Sequence, residues 1–278
     1  MTVDGVKAWY VPPTTGRPNQ LSDKDPRHTH PQFIETLEKG IRVLEVFRSG
    51  QASIGLTELA DSCGMTKSAA QRFTHTWCEL GYLSKDERSR RYSLTHKALE
   101  LGFLYLNADP LISRTLPALQ LLRERCNLTV NLSVLSGHDI VYVMRIPGQN
   151  QTFAEMLPGR RMPAWCTSAG RVLLSALPDE AIRASLAGIE PTRYTPRTEV
   201  DGEALFETIL RTRAQGYALT CEQVMIGQIG IAAPVRNVHF QTVAAVNITA
   251  QLSLWPTEQV EQKLVPLLME VTQAITVG

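Results

Sequence analysis

The sequence predicts an α+β fold in two domains, on three observations. The chain has 278 residues, about two domains' worth. Residues 33–80 show apolar side chains at helical spacing, followed at 82–94 by two short strand-like pieces around a polar tip. Beyond Pro110, helical and strand-like periods interleave to the end of the chain. Hydrophobic residues make up 44% and charged residues 20%, a balance that can fill two cores.

The composition excludes several classes. The five cysteines, Cys63, Cys78, Cys126, Cys166 and Cys221, are far apart and include no CxxC pair, so neither a zinc site nor a disulfide framework is expected. Their odd number suits a reducing compartment, and a cytoplasmic location is expected. No run of 18 apolar residues occurs, so no membrane partner is expected. Residues 1–31 are polar, with Pro12, Pro13 and Pro18 among them, and read as a flexible leader rather than a secretion signal. The net charge of +1 decides nothing about nucleic acid, so any such signal must be local.

The elements follow in order. Phe33, Ile34, Leu37, Ile41, Leu44, Val46 and Phe47 recur at helical spacing up to Ser49-Gly50. Thr57 fits the N-cap of a short helix that Cys63-Gly64 breaks. Thr66 fits the next N-cap, opening a helix to Leu80 with Gly81 as its C-terminal stop. Residues 82–84 and 91–94 read as strands around the polar tip 85–90. Thr95 caps a run containing Leu99, Leu101, Phe103, Leu104 and Leu106, which Asp109-Pro110 ends. The domains therefore read as 32–94, a linker helix at 95–109, and 110–278. In the last, helices are expected over 111–126, 168–177, 179–187, 201–215 and 257–276. Strands are expected over 128–135, 140–146, 217–220, 229–234 and 243–249. No GxGxxG follows a strand, so no dinucleotide or other cofactor is implied.

Helix, short helix, turn, helix and hairpin is the order of a winged helix-turn-helix, whose third helix enters the major groove of double-stranded DNA. Its reading residues are Thr66, Lys67, Ser68, Gln71, Arg72 and His75, with Thr57 at the start of the preceding helix. Gln suits adenine, and Arg or Lys suits guanine. Lys85, Arg88, Arg90 and Arg91 put four cations on the wing. Residues 63–92 hold six Lys and Arg against three Asp and Glu, a local surplus of +3. A helical bundle with solvated basic residues is the bland alternative, and the order of elements weighs against it.

The segments "FIETLEKGIRVLEVF", "GLTELADSCGMTKSAAQRFTHTWCELGYL" and "RRYSLTHKALELGFLYL" resemble the N-terminal half of the IclR (isocitrate lyase regulator) family. "VNLSVLSGHDIVYVMRI", "MPAWCTSAGRVLLSALP", "YTPRT", "RAQGYAL", "IGIAAPVRN" and "AAVNITA" resemble its C-terminal half, in the same order. The pattern is most similar to the subgroup regulating aromatic-acid catabolism through protocatechuate and 4-hydroxybenzoate. The resemblance implies a GAF-like α/β effector-binding domain and a DNA-binding regulator, repressor or activator, of a catabolic operon. It also implies homodimers through the N-terminal half, and homotetramers through the sensor domains.

The resemblance places an effector carboxylate at the backbone N–H groups of Ser168 and Ala169, where a helix N-terminus suits an anion. Asn247 and Thr249 share one face of a strand. Thr220, Glu222, Gln228 and Gly230 fall in a segment that departs from the family. Glyoxylate- and pyruvate-sensing relatives have an acid where Thr220 stands and a cysteine where Gly230 stands. The aromatic-acid subgroup often has Leu-Arg-Ser where Gln228-Ile229-Gly230 stands. Gly230 is therefore expected to widen the pocket for a ligand larger than pyruvate, an aromatic or similarly bulky acid. Met144, Met156, Leu157, Met162 and Trp165 are candidate walls, each also explicable as ordinary core. Arg145, Arg160 and Arg161 are alternative carboxylate partners. Cys166 near His138 shows no spacing for a nucleophile, and an inert buried thiol is the expectation. Two other functions stay open at this point: a ligand-blind DNA binder, and an enzyme, although GxSxG, HExxH and P-loop motifs are all missing.

Overall fold

The computed structural model describes residues 30–148 and 157–277. The chain forms two compact units, Met1–Tyr105 and Leu106–Gly278. The leader reading for 1–31 falls almost entirely outside the described residues, as does Met156.

In the first unit, α1 (Glu35–Glu45) runs into a 3-10 turn, Val46–Ser49, closed by Gly50 at a left-handed φ of +79°. A two-residue strand, β1 (Ile54–Gly55), follows; it pairs with β3 and was not foreseen. Helix α2 is Leu56–Cys63, and its N-cap is Gly55, not Thr57. The Glu58 carboxylate accepts from the Gly55 N–H at 3.3 Å, which leaves Thr57 exposed inside the first turn. Helix α3, Lys67–Glu79, starts where expected: Thr66 accepts from the Ala69 N–H. Strands β2 (Leu83–Lys85) and β3 (Arg91–Leu94) form the hairpin, in sheet order β1-β3-β2. Val43, Phe47, Ile54, Leu59, Ala70, Leu83 and Tyr92 make one core, and Trp77 Nε1 donates to the Gly40 carbonyl at 2.8 Å to lock α3 on α1. Helix α4 (Ala98–Ala108) follows Thr95, whose hydroxyl accepts from the Lys97 N–H; no residue of α4 is buried.

The second unit opens with α5 (Pro110–Cys126), capped by the Asp109 carboxylate, with Pro110 in its first turn, where a missing N–H costs nothing. Strands β4 (Thr129–Ser136) and β5 (Asp139–Ile146) are joined by a turn whose Gly137 takes φ +62°. Next come β6 (Arg161–Pro163), α6 (Ser168–Ser175), α7 (Asp179–Ala187) and α8 (Gly202–Gln215). Strands β7 (Ala218–Cys221), β8 (Gln228–Asn237) and β9 (Thr242–Gln251) follow. The closing helix has three pieces: Thr257–Gln259, a π-wound Val260–Leu264, and Val265–Ala274, here α9. Pro266 explains the π turn, because it lacks the N–H that would close an α turn there. The expected helix to 276 stops at Ala274, and Thr276–Val277 becomes β10, parallel to β8.

The described strands of this unit form one seven-stranded sheet, ordered β10-β8-β9-β4-β5-β6, with β7 on β8. Its two faces differ sharply. Val130, Leu132, Val246, Ile248, Ile229 and Ile231 pack in one cluster with Leu119 and Leu122 of α5 and Leu268 and Val271 of α9. Each such side chain contributes about 1.5–3 kcal/mol by leaving water. The alternating positions are polar: Thr129, Asn131 and Ser133 on β4, Asn247 and Thr249 on β9. Helix α6 covers this second face, packing across β4, β8 and β9.

Gly170 sets the seating of α6. A Cβ there would stand 2.1 Å from the Ala164 carbonyl oxygen and 2.3 Å from Ala164 Cα, both backbone atoms. Gly170→Ala is therefore expected to cost at least the ~1–3 kcal/mol of ordinary overpacking. Calorimetry of the purified chain should show the transition of the second unit shifted down by several degrees, that of the first unchanged.

Candidate DNA-reading surface and effector cavity

Lys67, Ser68, Gln71, Arg72 and His75 are all exposed, and their spacing puts them on one face of α3. Ala70 and Thr74 turn the opposite face into the core. Lys67, Arg72 and Arg88 form no ion pair among the described residues, so their charges remain available to phosphate or base edges. Asp86 shapes the wing tip: its carboxylate accepts from the Ser89 N–H and hydroxyl, both at 2.6 Å, and these bonds hold its pKa below the usual range. Arg90 sits there at φ +59°, exposed and 3.8 Å from Glu87. Lys85 leans over the Tyr92 ring at 6.0 Å.

Arg91 does something else. Its guanidinium donates to the Ser53 hydroxyl at 3.0 Å, the Ser53 carbonyl at 2.9 Å and Glu58 at 3.2 Å. It ties β3 to β1 and α2 and is not a free wing cation. Sequence spacing could not show this, because Ser53 and Glu58 lie more than thirty positions away.

In the second unit, a cavity of about 40 Å³ lies between the polar sheet face and the N-terminus of α6. Ser168, Thr220, Gln228, Gly230, Asn247 and Thr249, all named from the sequence as effector candidates, line it. Cross-strand register explains the grouping: Thr220 pairs with Gly230, Gly230 with Thr249, and Asn247 with Asn131. Ala169 is buried in the same first turn. Thr167 caps the helix by accepting from the Gly170 N–H at 3.2 Å. The first-turn N–H groups of a helix have no partner within it, and they carry its positive end. Asn247 is 4% exposed; one end of its amide meets Thr249, and Oδ1 has no hydrogen-bond partner. A buried unpaired amide oxygen costs about 1–3 kcal/mol, which a bound ligand can offset.

The described candidate walls do not line this cavity. Met144 points to the apolar face and joins the core against α5 and α9. Trp165 stacks on Tyr194, ring centroids 6.1 Å apart, in a separate cluster. Leu157 is exposed, and Met162 is buried in β6. Glu222 does not line the cavity; it pairs with Arg197 at 3.1 Å and accepts from the Gly227 N–H. Gly230 lines the cavity but leaves little room. A Cβ there would lie 3.1 Å from Thr220 Oγ1 and 3.2 Å from Ser168 Oγ, so the two hydroxyls have closed into the space. Arg161 is taken by Asp139, and Arg145 donates to Asn131 at 2.9 Å on the polar face.

The lining residues that sequence reasoning missed are Tyr142, Cys166, Thr167, Gln223 and Val224. Only Thr167 carried a signal, as an N-cap just before a helical run. Cys166 is inert: burial pushes its thiol up to about 12. His138 meets Ser185, not Cys166. Arg171, one turn into α6, was also missed. It is 5% exposed and donates to the Trp165 carbonyl at 3.0 Å and to Gln223 Oε1 at 2.9 Å. Burial lowers its pKa, against smaller opposing effects of Cys166 and Glu199.

A helix-turn-helix with a wing, and a separate domain with a polar cavity, are the parts of a DNA-binding transcription regulator. The comparisons agree. The IclR helix-turn-helix domain matches residues 36–87, and the C-terminal domain of bacterial IclR transcriptional regulators matches 103–277. The Pca regulon regulatory protein of Pseudomonas putida is 31% identical over 240 residues, covering 86% of this chain and 82% of that protein. The p-hydroxybenzoate hydroxylase transcriptional activator of Acinetobacter baylyi is 33% identical over 241 residues, covering 85% and 88%. A transcriptional regulator from Rhodococcus sp. RHA1 superposes with a TM-score of 0.76 at 33% identity, over 87% of this chain and 97% of that one. The inducer-binding domain of PobR from Acinetobacter, a double mutant in complex with 3-hydroxybenzoic acid, gives 0.53 at 32% identity, over 56% and 92%. The chain belongs to the IclR family of transcription regulators, and these relatives are named as regulators rather than enzymes.

The two wing arginines are expected to separate in experiment. Arg88→Ala should reduce the slope of log affinity for DNA against log salt by about one, as loss of one phosphate contact does. Arg91→Ala should leave that slope unchanged and instead lower the melting temperature of the first unit.

Proposed function

We propose that this chain regulates a catabolic operon as a cytoplasmic DNA-binding protein whose operator affinity is set by a small organic acid in the α6 cavity. The observation that carries this is the unpaired Asn247 amide end beside the α6 N-terminus, in a chain that also presents Lys67, Gln71 and Arg72 on a free helix face. An anion at the first turn of α6 uses N–H groups that the helix leaves unpaired.

The class of acid follows from the relatives. Two act on p-hydroxybenzoate and Pca genes by name, and one inducer domain holds 3-hydroxybenzoic acid. A hydroxylated aromatic acid is the reading these support. The cavity is far below the ~300–1,000 Å³ of pockets that hold drug-sized ligands. Such an acid therefore displaces a wall, and the 222–227 loop is the segment suited to move: Gln223 and Val224 line the cavity while Ile226 is exposed.

Self-association accompanies DNA binding. Helix α4 exposes Leu99, Leu101, Phe103 and Leu104, and the α1 region exposes Ile34, Leu37 and Ile41. Apolar faces of this size on a regulator fit pairing of two copies on two half-sites. Among the described residues no helix is long and apolar enough to cross a membrane.

The test is operator binding by the full chain to the DNA upstream of its own gene cluster. Arg72→Ala is expected to weaken specific binding by about 1–3 kcal/mol, some 5- to 150-fold. The acid that raises the melting temperature should still do so in this variant. Retained specific binding in Arg72→Ala would remove α3 as the reading helix. A chain that binds DNA but answers no acid would be the ligand-blind alternative.

A further inference from the structure

We propose that Arg171 supplies the charge that makes the α6 cavity select an anion, acting through the cavity wall rather than by direct contact. The inference rests on the effector reading above. Among the described residues no carboxylate lies within ion-pair distance of this guanidinium, although its surroundings are closed. It donates to two neutral oxygens, the Trp165 carbonyl and Gln223 Oε1.

The nearby acids are committed elsewhere. Glu199 accepts from the Val200 and Asp201 N–H groups, both at 2.9 Å. Glu222 pairs with Arg197, and Asp139 with Arg161. A buried cation without a counter-ion is costly, and an anion placed nearby repays part of that cost. The nearest place for one is the cavity. Gln223 forms its wall and is bonded to Arg171, and Trp165, the other partner, directly precedes the wall residue Cys166.

Gln223 holds this arrangement. Its Oε1 accepts from Arg171 and from the Glu199 N–H, and its Nε2 donates to the Arg197 carbonyl. The side chain cannot turn without breaking all three bonds. Arg171 therefore faces a fixed dipole, and Glu199, which is not within ion-pair distance, offsets its charge only in part until a ligand enters. In this role Arg171 is a specificity-determining positioning residue, which ranks carboxylates above neutral ligands of the same shape.

The test needs no knowledge of the natural effector. Acetate and acetamide have the same shape, differ in charge, and are the smallest probes that carry the contrast. Thermal shift of the full chain is measured with each, at ionic strength matched with sodium chloride. Wild type is expected to be stabilised by acetate and not by acetamide. Gln223→Glu places a carboxylate against Arg171 in an isosteric side chain. It gives up the Nε2 bond to the Arg197 carbonyl, so the melting temperature without ligand is expected to change little or fall, and it should weaken acetate binding by about tenfold or more. Arg171→Met should also lose the acetate response, and Arg171→Lys should keep it in part. Equal responses to acetate and acetamide in wild type would overturn the proposal. So would an undiminished acetate response in Arg171→Met, or in Gln223→Glu. Operator binding with a panel of hydroxybenzoic acids keeps the two readings apart. An acid-responsive regulator indifferent to Gln223→Glu sinks this inference alone. An Arg171-dependent acetate shift in a chain whose DNA binding answers no acid sinks the effector reading alone.

Discussion

The contact of Gly170 with the Ala164 backbone is the constraint on which the sensing half depends. It brings α6 down onto the sheet, and the sheet face it covers is polar. A covered polar face requires partners for Asn131, Ser133, Asn247 and Thr249. Some exist within the protein: Asn131 accepts from Arg145, and Asn247 meets Thr249. Asn247 Oδ1 has none. A core built only for stability would place apolar residues there, as the opposite face does with Val130, Leu132, Val246 and Ile248. The two faces of one sheet divide the labour: one holds the domain together, and the other, on the proposed function, receives the ligand.

Much of the fold was legible because it rests on local rules. Thr66 and Asp201 are caps, Gly64 and Gly216 are left-handed stops, and the strand pieces alternate. What was illegible depends on distant partners. Strand β1 is two residues long and exists only because β3 lies beside it. Glu58 rather than a threonine hydroxyl satisfies the start of α2, which moved the cap from Thr57 to Gly55. Strand β10 needs the edge of β8, which no local pattern predicts.

The site divided along the same line. Residues on one strand face were found, since period two puts Asn247 and Thr249 together. Met144 and Trp165 were misplaced, because composition says that a large side chain packs without saying which face it takes. Gly230 raises a related point: deleting a side chain opens space only as far as the neighbours stay back, and the Thr220 and Ser168 hydroxyls stand 3.1 and 3.2 Å from where its Cβ would be. Arg171 went unnoticed because arginines are normally exposed. Its burial is a tertiary fact.

The two halves share one chain, and the central claim is that occupancy of the cavity changes affinity for DNA. Coupling of this kind needs the ligand to prefer one state, and typically amounts to 5- to 150-fold, about 1–3 kcal/mol. The most direct measurement is operator affinity of wild type and Asn247→Leu, with and without an acid shown to stabilise the wild-type chain. The account predicts that the acid changes wild-type affinity within that range. It also predicts that Asn247→Leu binds the operator as well as ligand-free wild type and no longer answers the acid. Operator affinity that stays constant while the acid fills the cavity would contradict it.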